Sequence, residues 1–141
     1  METYKEMSER HQEEVNAFPI GAAFSNEQFA EMMKKWGYRV SQKNMIVSLG
    51  YGCFIRRSDL HAYTEMMMRH KRERNEAIKA DVTGEGFIYQ MFADEMADHE
   101  YGYTGDLEEV LEAVGMTLEE IANNPALSAG LIKAKRRYGY A

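Results

Sequence analysis

The chain has 141 residues, of which 45% are hydrophobic and 28% charged, with two prolines and eleven glycines, a balance that excludes collagen-like and disordered low-complexity chains. That length suits one compact domain burying roughly two-thirds of its unfolded surface. A single cysteine, Cys53, excludes an internal disulfide and a cysteine-rich zinc site, and the formal charge is −6.

Apolar residues recur at spacings of three and four, which predicts a mainly α fold, a multi-helix domain over 1–141. The first helix spans about 2–16, with Tyr4, Met7, His11 and Val15 on one side, and Pro19 and Gly21 break the chain after it. Ser25 caps the next helix, with Gln28 placed to close a capping box. Its stripe of Phe29, Met32, Met33 and Trp36 stops at Gly37. Ser41 predicts a short helix through Met45, Ile46 and Leu49 to Gly50; the same stretch also suits a β-hairpin near 45–57, turning at Gly50-Tyr51-Gly52. Ser58 caps the longest helix, about 59–80, with Leu60, Tyr63, Met67, Ala77 and Ile78 inward and Met66-Met67-Met68 as pliable core filler.

Residues 81–86 read as a loop, followed by a helix of Phe87, Ile88, Met91, Phe92 and Met96 that runs to about His99. Tyr101 to Gly105 is a break. Asp106 with Glu109, Thr117 with Glu120, and Asn124 with Pro125 then open three closing helices. Tyr138 and Tyr140 fall in a fraying tail. No apolar run reaches the roughly 18–20 residues a membrane crossing needs. The opening six residues lack the basic-then-apolar order of a secretion signal, so a cytoplasmic protein without membrane partners is expected.

Charge is segregated along the chain. Residues 56–80 are basic, whereas 81–120 hold twelve acids and neither lysine nor arginine. Two readings follow. The carboxylates pair with the protein's own basic helices, or Asp94, Glu95, Asp98, Glu100, Asp106, Glu108, Glu109 and Glu112 form a face that steers a basic protein partner, such as a nucleic-acid-binding protein. The second is the functional expectation, and it makes the protein a binding module rather than an enzyme.

Other constellations are less complete. Asp94, Glu95, Asp98 and His99 share one helix at ligand spacing, and His61, Glu65 and His70 are candidate partners for a metal-dependent hydrolase. His99-Glu100 lacks the second histidine of a zinc-protease helix, so no metal and no cofactor is expected. The segment Gly50 to Arg57 lacks the Gly-Lys-Ser/Thr of a phosphate loop. Its glycines fit a tight turn, Cys53 reads as a buried structural thiol, and Arg56-Arg57 as a candidate anion contact. Residues 115–137 resemble the opening of a DNA-binding helix-turn-helix. There Ala122 would let the helices cross, and Lys133, Lys135, Arg136 and Arg137 would meet phosphates.

Four segments carry a resemblance: Phe24-Ser25-Asn26-Glu27-Gln28-Phe29, Gly50 to Asp59, Met68-Arg69-His70 and His99-Glu100-Tyr101. In these the chain resembles a family of small uncharacterised proteins of bacteriophages and mobile elements of gut-type Firmicutes. Cys53 stands where that pattern has a second glycine. The resemblance implies a cytoplasmic accessory protein, and by analogy an inhibitor of a host defence nuclease, anti-CRISPR-like in action.

Overall fold

The computed structural model describes residues 1–140 and is mainly α-helical with one small antiparallel sheet. The chain packs as two units, one of Met1–Arg10 with the chain from Arg72 onward, the other His11–Lys71. Helices α1 (Tyr4–Ala17) and α3 (Leu60–Ala80) each contribute residues to both.

In the unit of His11–Lys71, α2 (Asn26–Lys35) starts as its sequence predicts. Ser25 is extended, and its hydroxyl accepts from the Gln28 amide at 3.1 Å. The Gln28 side chain returns to the Phe24 amide at 2.7 Å, one residue earlier than a capping box requires. Met32 and Met33 are buried, with Phe29, Trp36 and Tyr38 packed around them.

The short helix expected from Ser41 to Gly50 does not form; the hairpin does. A 3-10 turn (Lys43–Met45) leads into β2 (Ile46–Gly50), which pairs with β3 (Cys53–Arg56), and β3 pairs in turn with β1 (Gly21–Ala22) in the order β1-β3-β2. The register sets Ile46 opposite Arg56, Val47 opposite Ile55 and Ser48 opposite Phe54. A lone helix this short is marginal, whereas β-branched Ile46 and Val47 suit a strand, and buried Ile55 rewards the pairing. At the turn Gly52 has φ +76°, and a Cβ there would lie 2.6 Å from the Phe24 ring, so glycine is needed twice over.

A 3-10 turn (Arg57–Asp59) feeds α3 directly, so Ser58 sits inside the turn rather than capping the helix. Arg56 Nε bonds Asp59 at 2.9 Å, and Arg57 Nε donates to the Asn44 carbonyl at 2.6 Å. The Arg56-Arg57 pair therefore ties the hairpin to the helix entry. Met66 is buried, but Met67 and Met68 are 41% and 59% exposed, which corrects the inward placement of Met67 and the reading of all three as core filler. Cys53 is half-buried rather than buried, its thiol 3.9 Å from the Tyr51 carbonyl.

The other unit is built around α4 (Phe87–Asp98), whose Phe87, Ile88, Met91, Phe92, Ala93 and Met96 are all buried. Before it, the Asp81 carboxylate accepts from the amides of Gly84, Gly86 and Ile88 at 3.0 to 3.1 Å, closing the loop and capping α4. Helices α5 (Tyr101–Thr104), α6 (Glu108–Val114), α7 (Leu118–Ala122) and α8 (Pro125–Arg137) follow. Tyr101, Val110, Val114, Ile121, Leu127, Leu131 and Ala134 complete the core, with Tyr4 and Met7 of α1.

The Thr117 hydroxyl accepts from the Glu120 amide as expected, while the Glu120 carboxylate accepts from that hydroxyl, and Asn124 accepts from both the Ala126 and Leu127 amides at the start of α8. The expected break at 101–105 contains the one-turn α5. Asp106 accepts from the Glu108 amide, and Glu109 turns elsewhere, so those two do not form a capping pair. Tyr138 and Tyr140, expected to fray, pack against Tyr101 with ring centroids 6.0 and 4.8 Å away.

Candidate functional site

The acids of 81–120 lie in the loop before α4, on α4 to α7 and on the connections between those helices, and they divide by environment. The helical period that buries Met91 and Met96 leaves Asp98 exposed and Asp94 half-buried one turn before it. Burial first, then the like charge of Asp98, raises the Asp94 carboxyl above the ordinary carboxylate value, against the pull of Lys5 and Arg137.

Glu95 turns inward, contrary to its expected place on an open face. It accepts from the Tyr4 hydroxyl at 2.5 Å and lies 3.4 Å from His99 Nε2. His99 Nδ1 is 3.1 Å from Glu109. A chain of polar contacts thus runs Tyr4–Glu95–His99–Glu109, joining α1, the end of α4 and α6. Burial and the Glu95 carboxylate push the Tyr4 phenol well above its ordinary range, which keeps it a donor. Sequence reasoning missed Tyr4, which lies 91 residues from Glu95. Its apolar spacing on α1 had marked it only as core.

The remaining carboxylates behave differently. Asp106 is spent on the Glu108 amide. Glu100, with φ +55°, makes the left-handed corner into α5, and its side chain is exposed. Glu108 and Glu112 are exposed on α6. Among the described residues no acid of 81–120 forms an ion pair with lysine or arginine; His99 is their only basic partner. Ion pairs of the protein's own cations lie elsewhere, as in Arg10 with Glu2 and Glu73.

No group of three or more His, Cys, Asp or Glu side chains among the described residues is placed to hold a metal. His61 pairs with Glu65 one turn on at 4.0 Å, both exposed. His70 is buried and stacked on His11, with ring centroids 3.9 Å apart.

The basic residues of α8 also separate. Leu127, Gly130, Leu131 and Ala134 are buried on the side facing α4. Lys133 Nζ sits 4.6 Å from the Tyr89 ring centroid, and Arg137 donates to the Tyr89 hydroxyl at 3.4 Å. Lys135 is half-buried and Arg136 exposed. Ala122, expected at a helix crossing, is exposed, and neighbouring Ile121 is the buried contact.

No described helix is long and apolar enough to cross a membrane. No curated protein and no solved structure matches the chain. A family model does match, over residues 3–137, and the chain therefore belongs to a family of unknown function, DUF7659.

Proposed function

We propose that this is a non-enzymatic binding protein whose acidic segment engages a basic protein partner. It would act in the cytoplasm of a bacterial host as a phage or mobile-element accessory. A partner that holds nucleic acid in a cationic channel, such as a host defence nuclease, fits that chemistry best. One observation carries the reading: between residues 81 and 120 the carboxylates find no lysine or arginine partner among the described residues, although the chain holds 17 such cations. Carboxylates left unneutralised keep their field for a partner.

The test uses Glu108→Lys with Glu112→Lys, two exposed positions on one helix face. Tagged wild type and variant are offered a host lysate, and captured proteins are identified by mass spectrometry. Wild type enriches a basic nucleic-acid-binding protein that the variant loses while its circular dichroism is unchanged. Equal capture by the folded variant overturns the reading. The rival reading, DNA recognition by α7 and α8, requires a salt-sensitive gel shift that Arg136→Ala with Lys135→Ala weakens. The acidic reading requires that no such shift occurs.

A further inference from the structure

The unit of His11–Lys71 contains a cavity of about 660 Å³, within the size range of small-molecule sites. Phe29 of α2 and Phe54 of β3 line it, edge to face, with ring centroids 5.7 Å apart. Phe24 and Val40 line it too, and both are exposed, at 73% and 49%. Single exposed apolar side chains are ordinary, but here two of them border one cavity whose lining is mostly apolar.

Its lining carries the opposite sign to the net charge of the chain. Acids outnumber lysine and arginine by 23 to 17 in the chain, yet the lining holds Lys43 and no carboxylate. Lys43 forms no ion pair among the described residues. Ser25 and Asn26, the cap and first residue of α2, line the same cavity. There the Asn26 and Glu27 amides lack intrahelical acceptors and add positive potential, opposed by the Glu27 carboxylate in the same turn, while the Gln28 amide is taken by the Ser25 hydroxyl. An apolar volume with a single cation at its wall selects a ligand that is apolar along its body and anionic at one end.

We infer that this cavity binds a small amphiphilic carboxylate. Its acyl or aryl body packs among Phe24, Phe29 and Phe54, and its carboxylate meets Lys43 and the start of α2. The segments Phe24 to Phe29 and Gly50 to Asp59 are far apart in sequence and both build this wall. Gly52 leaves the room in which the Phe24 ring sits. The acidic segment belongs to the other unit.

The experiment titrates the ¹⁵N-labelled full chain with decanoate below its micelle concentration, and separately with decyltrimethylammonium, which carries the same chain and the opposite charge. Decanoate should give saturable shifts confined to amides within 23–29, 40–48 and around Phe54. Lys43→Glu should weaken it about tenfold with the fold unchanged, and the cation should bind at least about tenfold more weakly. Phe24→Ser, at an exposed position, should weaken decanoate several-fold and leave the fold intact. Absence of saturable binding, shifts scattered outside these segments, equal binding of the cation, or indifference to both substitutions overturns the inference.

Discussion

His70 is the residue whose burial has a direct pH consequence. Its ring stacks on His11 with 14° between planes, and Nε2 lies 3.4 Å from a Glu14 oxygen without a hydrogen bond. Glu14 is engaged instead by the Arg69 guanidinium, which lowers its pKa. Burial lowers the His70 pKa, with the neighbouring His11 and Arg69 acting in the same sense and Glu14 opposing. The unfolded chain therefore holds more protons on this ring than the native one, once the pH falls below the ordinary histidine value of about 6.5. Its favourable contribution is complete above that pH and declines below it. Glu14, also held below its ordinary value, keeps its contribution until the pH falls below the ordinary carboxylate value. His70→Gln should flatten the fall of the thermal midpoint as the pH drops below about 6.5; a slope identical to wild type would remove His70 as its source. Asp81 is a second such residue, since its carboxylate satisfies three backbone amides at once. Asp81→Ala should cost about 2 kcal/mol, seen as a lower denaturant midpoint at unchanged slope.

At the scale of elements, the loop before α4 and the first turn of α8 fit together through a missing side chain. Gly84 has φ +79°, and a Cβ there would stand 1.8 Å from the Ala126 carbonyl oxygen, closer than any contact permits. Gly84→Ala must therefore push α8 away from α4 or reshape the loop. We expect a loss of about 3 kcal/mol or more by chemical denaturation, and a near-neutral result would show that loop and helix separate freely. The hairpin illustrates the same dependence between elements. Ile46, Val47 and Leu49 match a helical stripe as well as a strand, and cross-strand pairing with residues 53–56 decides between them. Its register, set by the turn at 50–52, also brings Ser48 and Phe54 to the wall of the carboxylate cavity.

Over the whole molecule the governing quantity is a charge of −6 distributed unevenly along the chain. Electrostatic attraction of a basic partner is screened as the Debye length shrinks from about 10 Å at 0.1 M salt to about 3 Å at 1 M. Capture through the acidic segment should accordingly fall steeply over that range. Capture that persists at 1 M salt would assign the contact to apolar surface instead.

Several helix starts were legible in the sequence by itself because the cap acts over two or three residues, although the expected Ser58 cap and Asp106–Glu109 pair do not form. Ser25 to Gln28, Thr117 to Glu120 and Asn124 to Leu127 are all such cases, since donor and acceptor are near neighbours in the chain. The apolar face of α4 and the absence of lysine and arginine from 81–120 were equally plain. Tertiary structure alone decided that 46–56 is a hairpin, that Met67 is exposed, that Glu95 meets Tyr4 across 91 residues, and that Phe24, Lys43 and Phe54 surround one cavity. Each of these depends on partners distant in sequence, and periodicity reports which residues share a face without reporting what that face meets.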